Sequence, residues 1–239
     1  MSPAFPTFGP AHLAILAFVP LAAIALAALV RRRPRAERPI RLALAAALAA
    51  NELAWYVHGW EAGWLRPPHG LPLELCNVVL WLTAWALVAP RTWLLELVYY
   101  LGLAGSGMAL LTPDPGAPLS SYAGAKYFVS HGGAVAAILL LVLGGRFRPR
   151  PDAWWRAFLW LNAYAALVAL FDARFGTNYM FLREKPVSAS LLDALGPWPW
   201  YVLAAEPVAL LLLWLLHLPF RGGGGAGAAR ATRPRAAAS

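Results

Sequence analysis

Ala11–Arg41 reads AHLAILAFVPLAAIALAALVRRRPRAERPIR: twenty residues without Asp, Glu, Lys or Arg, then six arginines in eleven positions. About 20 apolar residues, rising about 1.5 Å each, cross the roughly 30 Å hydrocarbon core of a bilayer. No Lys or Arg precedes this run, which sets it apart from a cleaved signal peptide. Arginines gather on the cytoplasmic side of membrane helices, so the helix is expected to have its N-terminus outside. The remainder of the chain has the same character. Of 239 residues, 60% are hydrophobic and mean hydropathy is +0.57, against roughly 45 to 50% apolar residues in soluble domains.

Reading outward, apolar runs predict seven spans, at about 11–30, 41–58, 71–89, 92–111, 125–144, 154–172 and 198–219. The fold class is thus an all-α polytopic membrane bundle, with the C-terminus cytoplasmic. Charge tests that count. Arg31, Arg32, Arg33, Arg35, Arg38, Arg41, Arg91, Arg146, Arg148, Arg150, Arg156, Arg221, Arg230, Arg233 and Arg235 fall on one side. Only Arg66, Lys126, Arg174, Arg183 and Lys185 fall on the other, a division that a wrong helix count would scramble. Residues 1–220 form one membrane domain, and 221–239, rich in Gly, Ala, Arg and Pro, are expected to be a disordered basic cytoplasmic tail.

The net charge of +9 comes from arginines between apolar runs and not from a basic face, so no nucleic-acid partner is expected. One cysteine excludes an intramolecular disulfide and a cysteine-based metal cluster. No HxxxH or HExxH spacing occurs; no metal and no cofactor is expected. Gly102, Gly105, Ser106 and Gly107 in the fourth span are small enough to let neighbouring backbones approach closely. No oligomeric state is implied.

Polar residues within spans are costly and default to candidate sites. Their depths agree. Asn51, Glu52 and His58 occupy the outer half of the second span. Glu74, Cys76 and Asn77 come roughly 5 to 9 Å below the outer end of the third if its helix starts at Leu71. Tyr127 and His131 reach a similar level in the fifth, Asp172 lies at the outer end of the sixth, and Glu206 about 12 Å into the seventh. A cavity open toward the outer leaflet is expected there, with an inner half nearly free of polar groups. The competing reading is a packing network of interhelical hydrogen bonds.

The longest polar loop, Phe175–Pro207, reads FGTNYMFLREKPVSASLLDALGPWPWYVLAAEP. Pro197 and Pro199 suit a helix entrance, where first-turn amides have no intrahelical acceptor to lose. Trp198, Trp200 and Tyr201 are rings of the kind that settle at the membrane boundary. This loop from Asn178 to Tyr201, with LPLELCN at Leu71–Asn77 and the WRAF…N.YAALVALFD segment from Trp155, resembles the YwaF-like bacterial integral membrane proteins, grouped with the animal transmembrane protein 164 acyltransferases. The resemblance spans about residues 8–220. It implies a cell-membrane protein acting on phospholipid-type lipids, with Cys76 as nucleophile and His131 as its base.

Around that pair, Glu52, His58, Glu74, Asn77, Asn178, Tyr179, Arg183, Lys185 and Glu206 are candidate substrate-binding residues. Arg183 and Lys185 suit a lipid phosphate. Glu74 or Glu52 could orient the histidine, Asn77 could donate to an oxyanion, and His58 is a rival base. The alternative is a non-catalytic membrane protein that binds a lipid or small molecule in the same cavity.

Overall fold

The computed structural model describes residues 5–186 and 191–223. Most of the expected tail therefore lies outside the described residues, as do Ser188 and its neighbours in the long loop. Among the described residues, seven long helices follow in order: α1 (Pro10–Arg32), α2 (Glu37–Glu61), α3 (Leu75–Val88), α4 (Thr92–Leu111), α5 (Tyr122–Leu143), α6 (Ala153–Phe175) and α7 (Trp200–His217). Local chemistry sets several boundaries. Ser121 caps α5 by accepting from the Gly124 amide at 3.1 Å. Gly176 closes α6 in the left-handed conformation, φ 71°. Trp200 starts α7 directly after Pro199, as the prolines predict.

The bundle is built around α4 and α5. Buried residues make up 61% and 50% of their apolar windows, against 11% in α6. Helices α1 and α2 pack on α5, α3 packs between α2 and α4, and α6 pairs with α7. The outer helices turn Phe18, Leu167 and Leu170, each about two-thirds exposed or more, away from the protein. That pattern suits a protein whose solvent is lipid.

The third span differs from expectation. Its helix begins at Leu75 and not at Leu71, leaving 14 helical residues, about 21 Å, for a core of roughly 30 Å. Leu71–Glu74 precede it as non-helical chain. Backbone polar groups at membrane depth need partners, and the neighbouring elements supply them. The Tyr179 hydroxyl accepts from Leu71 N at 2.7 Å and donates to Pro68 O at 2.7 Å. Tyr164 donates to Leu73 O at 2.8 Å, and Met180 N donates to Glu74 Oε2 at 3.0 Å.

Helix α4 contains a π-turn at Val98–Gly102. The Tyr99 hydroxyl beside it donates to Leu216 O at 2.8 Å, and Tyr100 meets His217 Nδ1 at 2.7 Å, tying α4 to the end of α7. The small residues of α4 divide in role. A Cβ on Gly102 would lie 2.4 Å from Ile138 Cδ1, so close packing holds there. At Gly105 and Gly107 a Cβ would meet nothing within 4 Å, so those two do not serve close approach.

The arginine-rich end is not apolar, and this corrects the expected empty inner half. Glu37, Arg41, Glu96 and His217 are buried there. Arg150 grips Glu96 through Nε and Nη2 at 2.9 and 2.5 Å, Arg146 forms a two-pronged ion pair with Glu37, and Arg41 donates to Leu87 O at 2.5 Å. Glu96 lies one full turn inside α4, within the span and not at its end. At the opposite end His12, to which no role fell from sequence, is fully buried. It accepts from Phe8 N at 2.8 Å and donates to Leu110 O at 2.6 Å.

Candidate functional site

Because α3 starts late, Cys76 sits in the first turn of a helix. Two spaces border its side chain. The smaller, about 20 Å³, is bordered by Glu52, Cys76, Asn77, Ser106, Lys126 and His131 and can hold about one water. The larger, about 310 Å³, is bordered by Glu74, Cys76, Gly105, Ser106, His131 and Met180. Cys76, Ser106 and His131 line both. Helix α4 contributes its open Gly105 face to the larger space, so the missing side chain there makes room for a ligand.

The histidine is oriented by its own helix. His131 Nδ1 lies 2.9 Å from Tyr127 O. A carbonyl only accepts, so Nδ1 carries the proton of the neutral ring and the lone pair resides on Nε2. Among the described residues Nε2 makes no hydrogen bond. The Tyr127 ring lies against the imidazole with centroids 4.4 Å apart and is fixed by its hydroxyl on Ala109 O at 2.9 Å. Neither candidate carboxylate takes the orienting role: Glu74 receives Met180 N, and Glu52 is engaged elsewhere.

Glu52 is fully buried and doubly held. Asn77 Nδ2 donates to its Oε1 at 2.7 Å, and Lys126 Nζ lies 2.9 Å from Oε2. Lys126 also sits over the Trp55 ring at 5.1 Å. Asn51 donates to Ser130 Oγ at 2.9 Å one turn away, joining α2 to α5. Lys126 is the polar wall that sequence reading missed, having been counted as a loop charge. The signal was present, since Lys126 and Ser130 stand one turn apart on α5. One N–H of Asn77 is committed to Glu52, and its second amide proton is the donor still available.

The other candidates lie apart from these spaces. His58 is exposed near the end of α2, packed with Trp55 and Tyr122 at centroid distances of 5.7 and 5.1 Å. Glu206 borders neither space, and its Oε2 is buried without a hydrogen-bond partner among the described residues. The long loop uses its polar residues on itself. Asn178 Oδ1 accepts from the amides of Arg183 and Glu184, both at 3.0 Å, and its Nδ2 donates to Glu184 O at 2.9 Å. Arg183 Nη1 donates to Asp172 O and Thr177 O at 3.1 and 3.3 Å. Lys185 lies 3.8 Å from Asp193 and 5.6 Å from the centre of the Tyr201 ring.

Asp172, buried at the end of α6, anchors the loop by accepting from Thr177 Oγ1 at 2.5 Å and Tyr179 N at 3.1 Å. Burial pushes the Tyr179 hydroxyl above its ordinary value, with the Leu71 amide opposing. Tyr201 is buried and donates to Phe181 O at 2.5 Å, whereas Trp198 and Trp200 are the exposed boundary rings. Met180 and Phe181 hold φ of 56° and 55°, an uncommon conformation for residues with side chains. Three contacts fix them: Met180 N on Glu74, Tyr201 on Phe181 O, and Trp198 Nε1 on Leu182 O at 3.1 Å. The loop is therefore a clamp that brings Met180 to the cavity rim. Among the described residues no three His, Cys, Asp or Glu side chains gather as a metal-binding group.

Helices of this length and apolarity define a multi-pass membrane protein. The chain belongs to the TMEM164 family, which it matches over residues 7–217. That match covers every long helix and the clamp loop. Neither a curated protein nor a solved structure matches the chain.

Proposed function

We propose that the protein is a membrane-embedded acyltransferase or acyl hydrolase of phospholipid-type substrates, working through an acyl-enzyme on Cys76. The supporting observation is that Cys76 and a correctly protonated His131 border the same two spaces. In this reading His131 Nε2 takes the thiol proton as sulfur attacks the ester carbonyl. The tetrahedral intermediate collapses, the C–O bond breaks, and the leaving alkoxide takes the proton from Nε2. A lysolipid hydroxyl or water then attacks the thioester, giving its proton to Nε2, which returns it to the departing sulfur.

The second amide proton of Asn77 is the candidate oxyanion donor. The 310 Å³ space suits an acyl chain's first segment more than a whole lipid. Arg183, Lys185 and Asn178 act in this reading by holding the clamp loop and not as phosphate ligands. The topology proposed with it places the N-terminus outside and the C-terminus in the cytoplasm of a bacterial cell. Reporter fusions at either end test that.

The deciding experiment labels the purified protein with an acyl-ester probe. Wild type should acquire a thioester released by hydroxylamine, Cys76→Ala should acquire none, and His131→Ala should be slowed by roughly a hundredfold or more. Acyl exchange undiminished in Cys76→Ala would remove the covalent mechanism. An unlabelled wild type that still binds lipid would favour the non-catalytic binding role.

A further inference from the structure

A second cavity, about 570 Å³, opens at the arginine-rich end between the start of α6 and the end of α7. Its walls include Trp154, Trp214 and Phe220, together with the buried His217 and with Arg148 and Arg221. Both arginines are exposed. Neither is paired with a carboxylate among the described residues, although their neighbours are. In the segment that leads into α6, Arg146 is bound to Glu37 and Arg150 to Glu96, while Arg148 between them has no ion pair. The Arg221 guanidinium lies 5.5 Å from the centre of the Trp214 ring, a contact that positions the charge without neutralising it. The chain beyond Arg221 contains no Asp or Glu and adds Arg230, Arg233 and Arg235.

Two unneutralised guanidiniums above an aromatic, apolar hollow, at the level where a membrane helix ends, have the chemistry of a phosphodiester with acyl chains. Arginine takes phosphate oxygens through a planar fork. Tryptophans at helix ends pack against the glycerol and upper chain region, and basic pockets between helix ends hold anionic head groups. We infer that this cavity binds one anionic phospholipid, such as a phosphatidylglycerol, by its phosphate. This site is separate from Cys76 and does not depend on its chemistry.

The test uses the full chain in phosphatidylcholine nanodiscs doped with increasing phosphatidylglycerol, reading bound phosphatidylglycerol per protein by native mass spectrometry. The double variant Arg148→Gln/Arg221→Gln should need roughly thirtyfold more phosphatidylglycerol for half-occupancy, from two guanidinium contacts of ordinary strength. Arg31→Gln/Arg32→Gln removes the same charge from the same end, outside the cavity, and in about 0.15 M salt, where exposed charges are screened beyond about 8 Å, should stay within about twofold of wild type. Equal losses in the two double variants would reduce the effect to surface potential and overturn the site. Displacement of the lipid by millimolar inorganic phosphate would also overturn it, since the occupant would then be a free anion. If the double variant does not fold, Arg148→Gln alone, which breaks no ion pair among the described residues, should cost roughly fivefold. No change with that variant refutes the assignment.

Discussion

Replacing Lys126 by methionine keeps a long apolar stem while deleting the charge that faces Glu52. The ion pair spans 2.9 Å, and the side chains are 11% and 0% exposed. At that distance the attraction is about 6 kcal/mol for an effective dielectric of 20. Much of it offsets the cost of withdrawing two ions from water, so the pair itself contributes little net stability. Its loss is another matter, since a buried carboxylate would remain with only Asn77 as partner. Breaking one side of a buried pair costs about 3 to 5 kcal/mol. For a chain of this size that lowers the unfolding temperature by about 6 to 20 °C.

Intrinsic tryptophan fluorescence on heating the detergent-solubilised protein reads the change, and there are 12 tryptophans to report it. Adding Glu52→Gln to Lys126→Met restores neutrality and keeps an acceptor for Asn77, so more than half of the loss should return. A single variant that melts within about 2 °C of wild type would contradict a tightly buried pair. So would a double variant that melts no higher than the single one.

Gly105→Leu should fold at least as well as wild type, because nothing stands within 4 Å and leucine favours helix by about 1 kcal/mol over glycine. It should nevertheless cut acyl-probe labelling of Cys76 by filling the shared space, and unchanged labelling would show that substrate does not use that space. Tyr179→Phe removes both contacts that hold Leu71 and Pro68, at a cost of about 1 to 3 kcal/mol read in thermal melts. Since burial raises this hydroxyl above its ordinary value of 10.0, its contribution is full below about pH 10 and is lost as pH climbs through the raised value. The gap between wild type and Tyr179→Phe should therefore narrow in strong alkali, and a gap constant with pH would sink that reading. Glu96→Gln should loosen the Arg150 segment, visible as faster amide exchange at Arg150, whose backbone N donates to Glu96 Oε1 at 2.9 Å; unaltered exchange there would argue against the anchor.

Apolar run length made the helix count legible, because span length follows from bilayer thickness and needs no tertiary contact. The start of α3 was not. LPLELCN is apolar enough to continue a helix, and only the Tyr164, Tyr179 and Met180 contacts, from residues about 90 to 110 positions away, make the broken form tenable. The partner of Glu52 was hidden for a related reason. A lysine in the first turn of a span reads as a loop charge until a neighbouring helix supplies the carboxylate. Asn178 and Arg183 stood out because the loop motif depends on them, yet a motif that folds a loop and one that grips a ligand draw on the same side chains.

The shortened α3 has a bearing on the surrounding lipid. Its 14 helical residues fall about 9 Å short of an average hydrocarbon slab, a depth covered by the non-helical chain of Leu71–Glu74, where the leaflet can thin and admit solvent. An acyl acceptor could then approach Cys76 from the aqueous rim without fully shedding its hydration. Turnover should accordingly decline in reconstituted bilayers of longer-chain lipids, whose greater thickness would smother that notch, and a rate indifferent to chain length would deny it any such part.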